Sequence, residues 1–273
     1  ISDLLSYVFF SLQDAFVEND LLKYYCKYLR LFKVDRQSAR LLYSFSRMPT
    51  VTVCTRLRFD PNCHGESTVF SYSVPSVKDE FQLRATVTQS EPIQLALLVH
   101  GMHGSYQPGF ANDAAWHSLC VSWTGKGGEW SISVDGLEVG HGSGLCSTDH
   151  IRGNGVFIIG QDQDTFGGSL KNEEAFCGSI TQLYIWDRAL DTTEIQNMEK
   201  ECSPIPYGLL FKWSASGLEM EPSLPKHWGH VQCQGKMLVV EVIGGKGALG
   251  CGPFNLIEYS KEEKRPVLLT KAW

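Results

Sequence analysis

Between Gly160 and Gly168 the chain reads Gly-Gln-Asp-Gln-Asp-Thr-Phe-Gly-Gly. Amides and carboxylates alternate from Gln161 to Asp164, so side-chain and backbone oxygens can turn toward one point. Hard cations need that arrangement, and calcium takes six to eight oxygens at about 2.3–2.6 Å. The loop is not an EF-hand, because the D-x-[DN]-x-[DN]-G run and its closing Glu are missing and no helical pattern flanks it. Taken alone, a solvated acidic turn between two strands explains the same residues.

The segments around this loop read as short strands. Val51–Phe59 alternates with period two, so Val51, Val53, Thr55, Leu57 and Phe59 share one face. Further strands are predicted over Thr68–Ser73, Phe81–Thr88, Ile93–Val99, Trp116–Trp123, Trp130–Val134, Val156–Ile159 and Gly178–Trp186. A final pair is expected at Leu209–Trp213 and Trp228–Cys233. Turn signals at 125–128, Asp135-Gly136 and Asn154-Gly155 separate them. Strands at this density without alternating helices predict an all-β, two-sheet antiparallel sandwich. One short helix is expected after the capping box Asp191-Thr192-Thr193-Glu194, with Ile195 and Met198 on its buried side. Leu4, Leu5, Val8, Phe9, Leu12, Leu21, Leu22 and Tyr25 recur at helical spacing, which sets residues 1–30 apart as an N-terminal helical segment.

Three groups of residues, in order, carry a family resemblance. They are Pro49-Thr-Val-Thr-Val-Cys54, Trp116-His-Ser-Leu-Cys-Val-Ser-Trp123, and Ala175-Phe-Cys-Gly-Ser-Ile180 followed by Tyr184-Ile-Trp-Asp-Arg-Ala-Leu190. With the acidic loop they resemble the pentraxins, most closely the neuronal and long-chain members. The resemblance covers about residues 31–235 and leaves 236–273 as an unassigned C-terminal tail. It implies a jelly roll of the concanavalin A or laminin G kind, with the short helix packed on one sheet. Bridges Cys54–Cys120 and Cys202–Cys233 are also implied, whereas Cys26, Cys63, Cys146, Cys177 and Cys251 are left without assigned partners.

The family holds two calcium ions on one face, and the resemblance carries its ligands onto specific residues here. Asp162 and Asp164 would give carboxylates and Gln163 its backbone carbonyl, while Asp79 and Glu80 come from a separate loop and Glu174 takes the place of an amide ligand. One position departs: Lys171 stands where a second-site carboxylate is expected, and an ammonium cannot ligate. One calcium site is therefore expected, the second is impaired, and the Gly167–Phe176 loop would lose a tether. Ala85 matches the place where phosphocholine-binding members carry Phe. The ion would bridge to an anionic or hydroxyl-bearing ligand, such as a phosphate ester, an acidic sugar or a protein carboxylate, or to a protein partner. Such domains occur in secreted, often cyclic homo-oligomers and as modules in adhesion G-protein-coupled receptor ectodomains. The secreted, extracellular setting is the preferred reading.

Composition bounds the remaining classes. The 273 residues are 43% hydrophobic and 20% charged, enough for a substantial core. A net charge of −6 and the lack of any basic run exclude a nucleic-acid partner. No apolar run is long enough to span a bilayer. The nine cysteines include no CxxC pair and no zinc spacing, and no Asn-x-Ser/Thr sequon occurs. No G-x-S-x-G elbow, HExxH or P-loop is present, so the chain reads as a binding protein and not an enzyme. A carbohydrate-active enzyme on a jelly roll is the remaining alternative. His117 reads as a satisfied core or strand-edge residue, Trp123, Trp130 and Trp186 as core, and His64, His100 and His103 as exposed loop residues.

Overall fold

The computed structural model describes residues 38–244, apart from 148, 149, 223, 225, 234 and 235. The expected N-terminal helical segment lies outside the described residues, as does most of the C-terminal tail. In chain order the strands begin β1 (Ala39–Leu41), β2 (Thr50–Phe59), β3 (Gly65–Val74), β4 (Val77–Val87), β5 (Gln94–Val99), β6 (Met102–His103), β7 (Gln107–Pro108) and β8 (His117–Thr124). They continue as β9 (Glu129–Val134), β10 (Leu137–Gly142), β11 (Val156–Ile159), β12 (Gly178–Trp186), β13 (Leu209–Lys212), β14 (Leu218–Met220), β15 (Lys226–Cys233) and β16 (Lys236–Gly244). Two antiparallel sheets result. One runs β14-β1-β11-β3-β4-β5-β6 with β7 beside β5, and the other β10-β9-β8-β2-β12-β16-β15 with β13 beside β12. This is the two-sheet antiparallel sandwich expected from the alternating pattern, and the jelly roll that the resemblance implies.

The alternation of β2 explains how the layers stack. Val51, Val53, Leu57 and Phe59 point into the core between the sheets, where they meet Phe70, Phe81, Leu83, Trp123 and Phe157. Cys54, on the opposite face, joins Cys120, Trp186, Leu190, Ile195 and Met198 in a second apolar layer. Helix α1 (Thr192–Glu201) covers that layer. Its Asp191 cap accepts from the Glu194 amide at 2.8 Å, and Glu194 Oε2 accepts from the Asp191 amide at 3.1 Å. The opposite sheet buries one face of β2 and helix α1 part of the other, which is why most of its residues are buried on either side of the strand. Trp123, Trp130 and Trp186 are core residues, and Trp123 and Trp186 donate their indole N–H to Leu145 O and Ile205 O.

Turn chemistry sets the register. Asp135 and Gly136 both have positive φ (51° and 79°), as a two-residue hairpin between β9 and β10 requires. Gly155 is needed for space, since a Cβ there would lie 2.3 Å from Tyr72 Cζ and 2.4 Å from Ser73 O. β16 pairs with β15 along its length and with β12 through Ser179↔Gly244 and Ile180↔Ile243. The sheet therefore runs on to Gly244, past the boundary expected at residue 235. His117 stands at the start of β8, bound to Asp135 Oδ2 (2.7 Å) and Asp113 Oδ1 (3.2 Å) and stacked on Phe110, a satisfied strand-edge residue.

Candidate functional site

The acidic loop leaves β11 and crosses the outer face of the first sheet. Its ends are pinned by Gly160 N to Val69 O (2.9 Å) and Phe176 N to Gly160 O (2.8 Å). A disulfide between Cys63 and Cys177 ties its far end to the β2–β3 turn. This bridge joins residues 114 apart, and neither composition nor the family resemblance signalled it. A disulfide also joins Cys54 and Cys120, the pair the resemblance implies. Cys202 is disulfide-bonded, with a partner that is not among the described side chains. Cys146 carries a free thiol, pushed up in pKa first by burial.

Coverage by this loop explains why β3 carries serines that are nevertheless buried. The Gln163 side chain is fully buried and acts as a clasp. Its Nε2 donates to Ser71 O (3.0 Å), Ser71 Oγ (3.0 Å) and Val156 O (3.1 Å), while Oε1 accepts from Ser73 Oγ (2.6 Å) and Gly167 N (3.1 Å). Ser71 Oγ in turn donates to Gln161 O at 2.6 Å. Buried amides with every bond made are rigid, so the clasp fixes the loop without any metal.

Asp162 lies next to this clasp and is also buried. Its carboxylate accepts from Gln82 Nε2 (2.9 Å), Gln163 N (2.8 Å) and Arg84 Nη2 (3.1 Å). Asp79 and Glu174 stand nearby. Burial first, and then the Asp162 charge, push both carboxyls above their usual range. Glu174 Oε2 is buried with no hydrogen-bond partner. Asp164 differs, because Lys171 Nζ sits 2.6 Å from its Oδ2 and Lys78 Nζ 3.3 Å from its Oδ1. The Lys171 ammonium, and then Lys78, hold the Asp164 carboxyl below its usual range.

Glu80, expected among the ligands, has charged partners of its own. Its carboxylate is fully buried, accepting from Arg152 N (2.6 Å) and Arg152 Nη1 (2.7 Å), with His100 Nδ1 at 3.2 Å. Burial alone would raise this carboxyl, but the hydrogen bonds from His100 and Arg152 outweigh it and hold it low. His100, expected to be an exposed loop residue, is 7% exposed and packs against Trp123. Ala85 faces the core between the sheets and does not line the acidic face.

Among the described residues, no group of three or more His, Cys, Asp and Glu side chains stands in metal-holding geometry. The donor chemistry nonetheless fits one hard cation on the side of Asp79, Asp162 and Glu174. All three are oxygen donors, the Asp162 charge raises the carboxyls of the other two, and Glu174 Oε2 is buried and unpartnered. On the side of Asp164 it does not fit, since two ammonium groups already occupy both carboxylate oxygens.

A sequence model of the pentaxin family matches residues 33–223. The human adhesion G protein-coupled receptor D2 is 31% identical over 198 residues, which make up 72% of this chain and 20% of the receptor. Human neuronal pentraxin-2 is 34% identical over 197 residues, 72% of this chain and 42% of that protein. The chain thus spans less than half the length of either relative. Among solved structures, the native heptameric SAP-like pentraxin of Limulus polyphemus aligns with a TM-score of 0.64 at 21% identity. The alignment covers 80% of this chain and 94% of that one, a likeness of fold.

Proposed function

The chain belongs to the pentraxin (pentaxin) family, and from that premise we propose that it is an extracellular ligand-binding module with one calcium-dependent recognition face. The observation that carries the reading is the gathering of Asp79 and Glu174 around the buried Asp162, whose charge raises both of their carboxyls, with Glu174 Oε2 buried and unpartnered. Oxygen donors in excess of neighbouring positive charge are what a hard cation selects. Bound there, calcium would supply open coordination positions for the oxygen atoms of a ligand.

The rest of the work falls to the chain's own residues. Gln163 locks the loop onto Ser71 and Ser73, and Gln82 and Arg84 hold the Asp162 carboxylate from two sides. Asp79 reaches the face from β4 and Glu174 from the 3-10 turn Asn172–Glu174. Ligand groups suited to this face are phosphate esters, acidic sugars and protein carboxylates. The role is binding and not catalysis, and a cyclic homo-oligomer is the assembly that accompanies it. Disulfides at Cys54–Cys120 and Cys63–Cys177 suit an oxidising, extracellular setting. Among the described residues no helix is long and apolar enough to cross a membrane. The match to an adhesion receptor supports a second setting, in which the same module forms part of a receptor ectodomain.

Capture on immobilised phosphoserine, glucuronate and glutamate, with galactose as the neutral control, tests the reading. Retention on at least one anionic matrix in calcium, with release by EDTA, is the expected outcome. Retention indifferent to EDTA, or on none of the three, would contradict it.

A further inference from the structure

Lys171 lies at the entrance to the 3-10 turn Asn172–Glu174, on a loop already fixed by the Gln163 clasp and the Cys63–Cys177 bridge. Its side chain is half exposed and free to extend into solvent, yet its ammonium turns inward onto Asp164 Oδ2 at 2.6 Å. Lys78, from β4, reaches the other oxygen of the same carboxylate at 3.3 Å. The carboxylates of Asp164, Glu174 and Asp162 all act on Lys171 and favour its charged form, Asp164 most strongly. One carboxylate bracketed by two ammonium groups, with two further carboxylates close by, is the charge pattern of a cation position filled from within the chain.

From this geometry we infer that Lys171, backed by Lys78, is a tethered replacement for a divalent cation at Asp164, so that this face takes no second metal ion. A protein ammonium cannot share its site with a divalent ion, because like charges at contact distance repel and an ammonium has no lone pair to donate. The loop consequently keeps its second tether at any calcium concentration. The expectation that Lys171 leaves the loop loose is replaced by the opposite: the residue that removes a ligand also supplies the counter-charge. The inference concerns the second cation position and goes beyond the single-ion reading above.

Native mass spectrometry of the whole chain at saturating calcium counts the ions. The wild type is expected to hold no more than one. Lys171→Glu places a fourth carboxylate beside Asp164, Glu174 and Asp162, and is expected to hold one ion more than the wild type. Should that variant fail to fold, the double variant Lys78→Gln/Lys171→Gln removes both ammonium groups without adding charge. It is expected to bind calcium at least about tenfold more tightly than the wild type, a change of about 1.4 kcal/mol. Two ions on the wild type, an unchanged count in folded Lys171→Glu, or unchanged affinity in the double variant would overturn the inference. A wild type holding none, with Lys171→Glu holding one, would sink the single-ion reading and leave this inference standing.

Discussion

Asp162→Ala, measured in EDTA so that no metal contributes, is expected to lower the unfolding free energy by about 3–5 kcal/mol, the usual cost of removing one partner of a buried ion pair. The substitution strips the acceptor from three donors at once: Gln82 Nε2, the Gln163 amide and the Arg84 guanidinium. The Arg84 side chain is 18% exposed and its remaining ion pair, to the half-exposed Glu66, is longer at 3.5 Å, so its charge is left less well compensated. Asp162→Asn keeps an oxygen for the Gln82 and Gln163 donors but loses the charge and the Arg84 acceptor, so it is expected to fall between wild type and Ala. Urea titration reads all three proteins. An Ala variant within about 0.5 kcal/mol of wild type, the range of ordinary surface substitutions, would mean that Asp162 does not organise this loop.

The second large effect is expected from Cys54→Ala/Cys120→Ala, which opens a covalent loop of sequence separation 66. Chain entropy in the unfolded state puts the loss at about 4 kcal/mol. That corresponds to a fall in Tm on the order of 10 °C for a domain of this size. The two cysteines face each other across β2 and β8 and form the floor on which Trp186, Leu190, Ile195 and Met198 pack. Helix α1 should therefore loosen first, seen as faster amide exchange over Thr192–Glu201 than over the β3–β4 pair. Uniform acceleration across both sheets would contradict this layered description.

The fold was legible where one physical pattern ruled. Val51–Phe59 alternates, and Asp191 with Glu194 forms a local capping box, so both elements follow from neighbours in the chain. That the acidic loop joins two strands was equally open to reading, because its motif sits between Val156–Ile159 and Gly178–Trp186, whereas its placing over β3 was not. Glu80 was not legible. The β3–β4 ladder pairs Tyr72 with Phe81 and Val74 with Val77, leaving Lys78, Asp79 and Glu80 opposite Ser73. Across such a bulge, strict alternation no longer decides which face a side chain takes. Glu80 therefore meets Arg152 and His100 while Asp79 goes to the loop. Cys63 and Cys177 were hidden for another reason: they lie in turns with no period, and only the closed sandwich brings them together. Lys171 was visible as a misplaced charge, but its partner Asp164 depends on a fold of the loop that spacing alone cannot supply.

Calorimetric titration of the whole chain with calcium, beside Asp79→Asn and Glu174→Gln, tests the central claim most directly. Both substitutions keep side-chain shape and remove one negative charge from beside Asp162, whose charge raises both carboxyls. A single site is expected in the wild type, with at least about tenfold weaker binding in each variant, or about 1.4 kcal/mol apiece. No calcium binding by the wild type, or the same affinity in all three proteins, would contradict it.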